Sequence, residues 1–523
     1  MSAPHVAASP PITCPPVVQS PLARISALGL LLLMIIVNFA LQPLSEPDFG
    51  WHLRTGLDVL HTGLPLPSSD PYSHTMPDWP WVEHAWLTDV LIAGLYSAFG
   101  ALAVIVFFAA VTVSAWLVGA ATASASLMCR WFACVCSLWV ALPYLGARTQ
   151  LITLLGMAVL SWLLKRWRDG SGSVQWWIPP FFLLWANLHG GFVAGLLLLC
   201  LVIGTGLIVR LLSDRRMIVA GPYDEPLVFS WTDLRRLTLI TAISACITLL
   251  NPYGWRLYGE IVDSLSNRVM LDTLQEWQPM SMASLAGRRF AAYLGGLGVG
   301  MALWYRRIEP VRWVVGVVFL AFSFRHMRNI PFFLIVSLPL CAELLSEGYD
   351  RLHRQWSRDD TKAKTVSVAA TLLMAAVLLW EGPEHLHRIV LSGTRPVEYF
   401  KTTSYPIEAV EWMRDNREQT GQRLYNDYGY GGFLLWWVPG TKIFIDGRMP
   451  AWRTGERAIL PDYMTLTRED PDLRILAKYS VDWALVKKGT PLEETLARQA
   501  LWERIYNDGK AAIYRLKATT PAF

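Results

Sequence analysis

Apolar residues along this chain gather into runs near bilayer length, separated by short polar segments. A hydrocarbon core of about 30 Å takes roughly 20 apolar residues of helix. On that scale the runs predict eleven membrane spans: Leu22–Leu41, Ala101–Ala123, Trp131–Leu145, Leu151–Leu164, Trp176–Trp185, Phe192–Leu212, Leu237–Leu250, Ala291–Trp304, Val314–Phe324, Ile330–Leu345 and Val366–Leu379. Several are short, which requires tilt, breakage or extension into neighbouring loops. Trp176–Trp185, with Pro179 and Pro180, is the least regular. The first run has no small-residue cleavage site and reads as a retained helix behind a Pro-rich, disordered tail, residues 1–21.

The pattern changes in two places. A long first outer loop, residues 43–100, begins with PDFGWHLRTGLDVL, where Trp51, Leu53, Leu57 and Leu60 recur at helical spacing. Asp48 and His52, four apart, share a face of that helix or of the turn opening it. DVLIAGLYSAFG, from Asp89, predicts an amphipathic helix at the interface. Between the two runs LPLPSSDPYSHTMPDWPW, rich in turn formers and aromatics. A loop this long in a compact protein is usually functional.

The second change comes at about residue 382. Ile407, Val410 and Met413 form a helix face, while RLYN, KIFID and DWALV read as short buried strands. Trp502–Tyr506 and Ala511–Leu516 flank Asn507-Asp508-Gly509, a hairpin signal. Glycines 429, 431 and 432 read as turn residues, and Asp446, Gly447 and Arg448 as the end of a strand. The predicted fold class is an all-α polytopic transmembrane bundle, residues 22–381, with a small soluble α/β domain over 382–523.

Composition and charge sharpen this. Hydrophobic residues make up 53% and charged ones 17%, with 25 Trp, which excludes an ordinary soluble enzyme. A net charge of +5 gives no basis for a nucleic-acid partner. The positive residues act instead as a topology signal. They cluster at Lys165/Arg166/Arg168, at Arg210/Arg215/Arg216 with Arg235/Arg236, at Arg306/Arg307/Arg312, and at Arg351/Arg354/Arg358/Lys362/Lys364. With eleven spans and an inside N-terminus, all four clusters fall on the cytoplasmic side. The C-terminal domain is then periplasmic, and the protein belongs in a bacterial inner membrane. None of the seven cysteines lies beyond residue 341, so that domain has no disulfide framework.

The same topology gathers unusual polar residues on the outer face. Asp48, His52, Glu83 and His84 lie in the first outer loop, Arg148 and Gln150 after the third span, and Asn187 and His189 after the fifth. Asn251, Tyr253 and Glu276 lie beyond the seventh; Arg325, His326, Arg328 and Asn329 separate the ninth and tenth. Ionisable groups at membrane depth are costly and mark function. A carboxylate at Asp48, next to His52, Glu83 and His84, suits general-base work on a hydroxyl or amine. Arg148, Arg325 and Arg328 offer donor forks suited to a lipid phosphate. Gln150, Asn187, His189, Glu276 and His326 complete a candidate substrate site. Asp48 and His52, completed by His84 and His189, are an alternative divalent-metal set; no cofactor is fixed by the sequence.

PDFGWHLRTG, DPYSHTMPDWPWVEHAWL, GARTQL, LLWANLHGGFVAG, LNPYGWRLY, EWQP and FRHMRNIPFF occur in an order that resembles a family of bacterial membrane proteins grouped with the GT-C glycosyltransferases. The resemblance spans residues 20 to 450, and NDYGYGGFLLWWVPGTKIFIDGR looks like its C-terminal signature. It implies a polyprenyl-phosphate-linked sugar as donor, a glycan, lipid or protein acceptor, and a catalytic acid in the first outer loop, matched here by Asp48. Where the related pattern reads WVxHEWL this chain has WVEHAWL, with Glu83 and His84 present and Ala85 in place of Glu. The rival reading is a transporter or binding protein for a lipid-linked saccharide. It calls for midplane charges and internal repeats, and the sequence has neither.

Overall fold

The computed structural model describes residues 27–63, 66–171, 173–215, 229–304, 309–356 and 382–517. The tail over 1–21 and the span predicted at Val366–Leu379 lie outside them, as does the start of the first span. The first half contains α1 (Ala27–Ala40), α2 (Phe49–Thr62), α3 (Trp86–Phe99), α4 (Ala101–Ala121), α5 (Leu127–Ala141), α6 (Gln150–Arg168), α7 (Ile178–Leu188) and α8 (Phe192–Asp214). It continues with α9 (Trp231–Ile247), α10 (Arg256–Ser266), α11 (Arg268–Thr273), α12 (Leu285–Trp304), α13 (Pro310–Arg325) and α14 (Ile330–Trp356).

Apart from α10 and α11, which no apolar run marked, these helices overlap the apolar runs and helical stretches of the sequence. Four stretches, Ala101–Ala121, Leu127–Tyr144, Phe192–Asp214 and Met327–Arg351, are long and apolar enough to cross a bilayer, which makes this a multi-pass membrane protein. The others are shorter or more polar, so eleven crossings is a finer statement than the described helices support. Trp176–Trp185 is not one regular span. A 3-10 turn over Val174–Trp177 leads into α7, whose first turn takes the prolines where their missing N–H groups cost nothing.

One apolar core runs through the bundle, with Trp116, Trp185 and Phe182 fully buried. The two ends of the bundle differ. At one end Arg168, at the close of α6, pairs with Glu309 at the start of α13 and lies over Phe229, just ahead of α9. Arg312 pairs with Glu343 at the same end of α13. The described members of the basic clusters thus share one end, and the polar turns lie at the other.

The C-terminal part opens with a helix over 382–394, here α15, followed by α16 (Pro396–Lys401) and α17 (Ile407–Asp415). Then come β1 (Leu424–Asn426), α18 (Gly431–Trp437), the ribbon of β2 (Arg453–Thr454) and β3 (Arg457–Ala458), α19 (Ile459–Leu466) and α20 (Arg474–Lys478). β4 (Trp483–Lys487), α21 (Pro491–Arg498), β5 (Trp502–Asn507) and β6 (Ala511–Leu516) complete it. The sheet order is β1-β4-β6-β5, with β1 parallel to β4 and the other neighbours antiparallel. RLYN, DWALV and the hairpin form as predicted.

KIFID does not join this sheet. Its backbone pairs with the first outer loop: Ile443 N–H donates to the Tyr72 carbonyl at 3.0 Å, and His74 N–H to the Ile443 carbonyl at 3.1 Å. The second core accordingly contains Trp51, Tyr72, Met76 and Trp81 of that loop together with the sheet residues. An extended apolar run carries no label for its partner, and here that partner lies some 370 residues away.

Candidate active site

The turn after α1 brings in the first acid. Asp48 precedes α2, and its backbone carbonyl accepts from His52 N–H at 3.3 Å, placing His52 one turn on, on the same face. α2 packs on α18 through a glycine contact: a Cβ on Gly50 would stand 1.8 Å from the Gly432 carbonyl oxygen. Gly447 lies against Asp48 itself, since a Cβ there would fall 1.9 Å from Oδ1. Glycines 431 and 432 therefore serve close approach in and around α18, where the sequence suggested turns. The DGR tripeptide is thus a wall against Asp48.

Its other members fix that wall. Arg448 donates to Asp70 Oδ1 at 2.7 Å and to Asp446 Oδ2 at 2.8 Å, with all three side chains buried. The guanidinium also faces the rings of Tyr72, Trp81 and Trp452, 4.9–5.4 Å from their centroids. Asp446 to Arg448 is thus an ion-paired turn docked on the outer loop and does more than end a strand.

Near Asp48 stand two arginine–carboxylate pairs. Arg148 Nε donates to Glu46 Oε2 at 2.6 Å, and Arg328 Nη1 to Glu276 Oε1 at 2.9 Å. Burial lifts the Asp48 carboxyl to about 6; Glu46 and Glu276 push the same way, and His52 opposes. Burial likewise raises Glu46, overriding Arg148. The phenol of Tyr428 is pushed well up by burial, with the charges of Asp48 and Glu276 adding to it.

The three predicted arginines do not form one clamp. Arg148 and Arg328 are each held by a carboxylate. Arg325 is exposed and lines a separate groove with Arg268, Asp272 and His326. His326 Nδ1 meets the Trp277 carbonyl, so it supports the loop carrying Glu276. Arg328 lies 4.1 Å over the Trp277 ring, and Gln150 donates to the Arg328 carbonyl at 3.2 Å.

Behind Asp48 lies a second, deeper group. His52 Nδ1 is 2.7 Å from Asp89 Oδ1, so His52 is positioned by Asp89, and burial holds the imidazole far below its ordinary range. Its Nε2 stands 3.4 Å from Thr149 Oγ1. Glu83 Oε1 accepts from Ala85 N–H at 2.9 Å in the turn before α3. The rings of His84 and His189 meet edge-on at 5.3 Å. His189 Nδ1 accepts from Gly191 N–H at 2.9 Å, with Thr153 Oγ1 at 2.8 Å, leaving the proton on Nε2. Asn187 accepts from Trp86 Nε1 at 3.0 Å and ties α7 to α3.

Metal-ligating atoms of three or more residues come together, among the described residues, at His52, Glu83 and Asp89, within 4.8 Å of one another. That grouping shares His52 with the set expected at Asp48, His52, His84 and His189 and otherwise draws on Glu83 and Asp89. Glu46, Asp89, Thr149 and Tyr428 are the members sequence reasoning missed. Glu46 lies two residues before Asp48 and was legible as part of the same acidic turn. Asp89 reads as the start of an amphipathic helix and lies six positions after Glu83, a spacing with no periodic signature.

No protein-family model matches the chain, and no curated protein matches its sequence. The fold does have relatives among solved structures. Oligosaccharyltransferase AglB from Archaeoglobus fulgidus, solved with an inhibitory peptide and a dolichol-phosphate, is 12% identical. The match covers 90% of this chain and 70% of that one at a TM-score of 0.55. The apo form of the A. fulgidus oligosaccharyltransferase is 11% identical over the same shares, with a TM-score of 0.50. ArnT from Cupriavidus metallidurans bound to undecaprenyl phosphate is 13% identical, covering 94% of this chain and 98% of that chain, with a TM-score of 0.41.

Proposed function

We propose that this chain is an inner-membrane glycosyltransferase that moves a sugar from a polyprenyl-phosphate carrier to an acceptor on the periplasmic face. The observation carrying this reading is the Asp48 carboxylate, held near neutral pKa between two arginine–carboxylate pairs at the outer end of a GT-C-type bundle. A base with a pKa near the working pH combines adequate ionisation with adequate driving force. Asp48 takes the proton of an acceptor hydroxyl as that oxygen bonds to the anomeric carbon. The bond from this carbon to the carrier's phosphate oxygen breaks, and the lipid phosphate leaves as an anion.

Arg328 is the group suited to that anion. Its pair with Glu276 is half-exposed and uses Nη1, so the guanidinium can share its other donors with a phosphate. Arg148, bound to the more buried Glu46, keeps its place and adds positive charge. The AglB and ArnT structures, as their names state, hold dolichol-phosphate and undecaprenyl phosphate. The first-loop acid and the arginines support a donor of that lipid-phosphate class here.

Single-turnover transfer with purified protein and a lipid-linked sugar tests the reading. Asp48→Asn keeps shape and removes basicity, and turnover should fall about 10²–10⁴-fold with donor binding intact. Wild-type turnover in that variant refutes the role of Asp48 as base.

A further inference from the structure

Behind the Asp48 pocket, two buried carboxylates each leave one oxygen unsatisfied. Asp89 Oδ2 and Glu83 Oε2 have no hydrogen-bond partner, although the residues are 0% and 1% exposed. Their other oxygens are engaged, by His52 Nδ1 and by Ala85 N–H. Leaving such oxygens unpaired in a low-dielectric interior costs several kcal/mol.

Several groups could satisfy them, including a bridging water and the buried Tyr253 hydroxyl, which lacks a partner and feels the charge of both carboxylates. A guanidinium could, but Arg448, whose charge reaches Glu83, forms its hydrogen bonds with Asp70 and Asp446 and leaves its own buried Nη2 without a partner. A shared proton would draw the two carboxyls into a hydrogen bond with each other, and none joins Glu83 to Asp89 among the described residues. A cation between them satisfies both oxygens at once.

We propose that His52, Glu83 and Asp89 form a binding site for one divalent transition cation of the zinc or manganese class. The three ligand atoms already lie within 4.8 Å of one another, and all three residues are buried. One imidazole nitrogen with two carboxylate oxygens suits a borderline ion over Mg²⁺ or Ca²⁺, which prefer all-oxygen shells. The ligands come from α2, from the turn before α3 and from α3 itself, so the ion clips the two helices of the first outer loop together. Gly56 permits this contact: a Cβ there would stand 2.0 Å from the Asp89 carbonyl oxygen. On binding, the His52 nitrogen that faces Asp89 exchanges its proton for the metal. The site lies one helical turn beyond Asp48, and its existence does not depend on what the protein transfers.

The test uses the full-length protein in detergent, stripped with a chelator and titrated with Mn²⁺ or Zn²⁺. Near-stoichiometric uptake, a raised melting temperature on re-addition, and ¹⁴N coupling in the spin-echo spectrum of the Mn²⁺ form are expected. Asp89→Asn and Glu83→Gln should each weaken uptake by more than about tenfold, with Asp48→Asn retaining it. If either variant fails to fold, the ¹⁴N coupling in wild-type protein still decides whether a histidine is a ligand. Absence of uptake by wild-type protein overturns the site. So does uptake that survives Asp89→Asn but is lost in Asp48→Asn, which would move the ion to the Asp48 pocket.

Discussion

Gly447 packs directly against the Asp48 carboxylate. Any side chain at 447 enters the space of the Asp48 carboxylate, so Gly447→Ala should displace the base and leave the arginines in place. Turnover should drop at least about tenfold with lipid-phosphate binding unchanged; a fully active variant would place the reacting carboxylate elsewhere. The arginines separate in the same way. Arg328→Ala should weaken binding of a polyprenyl phosphate by roughly 1.5–3 kcal/mol, the range for hydrogen bonds to charged groups. Arg325→Ala, in its separate groove, should leave that affinity unchanged in the same detergent-based assay. Equal losses in both variants would show that the phosphate spans the two grooves.

Between elements, the seam joining the first outer loop to the C-terminal domain depends on Arg448 and His74. Arg448→Ala strands the buried carboxylates of Asp70 and Asp446 and should destabilise the protein by about 3–5 kcal/mol, read as a lower melting temperature and early proteolysis of the outer loop. His74 donates from Nε2 to the Leu424 carbonyl at 2.9 Å, and its buried Nδ1 has no partner. Burial lowers its pKa from 6.5 to about 4, so the unfolded chain binds this proton more readily than the folded one. Stability from His74 is therefore whole above about pH 6.5 and is lost as pH falls toward 4, by up to roughly 3 kcal/mol. His74→Gln should flatten that slope in pH-dependent unfolding. This seam also marks where the sequence stops being legible. The bundle helices, the Asp48–His52 face and the β5–β6 hairpin follow from local period and turn chemistry. The pairing of Ile443 with Ser73, the Arg448–Asp70 bridge and the grouping of Glu83 with Asp89 depend on contacts made in three dimensions, and no spacing along the chain encodes them.

For the whole molecule, the sidedness of the bundle predicts orientation. The basic helix ends gather away from the Asp48 pocket, and retention of Lys and Arg in the cytoplasm would place that pocket and the sheet domain outside. Reporter fusions after residue 390 should be active only in the periplasm, and cytoplasmic activity would invert the topology along with the proposed site. The contact of Gly447 with Asp48 has a consequence in time as well as in space. The ribosome makes Asp48 early and Gly447 some 400 residues later. A nascent chain already threaded into the membrane thus holds the acid and its arginines but lacks the wall that seats them. Competence would arrive only when the last quarter of the polypeptide has been exported and has docked on the loop made first. Half-made copies in the membrane would be inert, and a tail supplied as a separate chain is what could wake them.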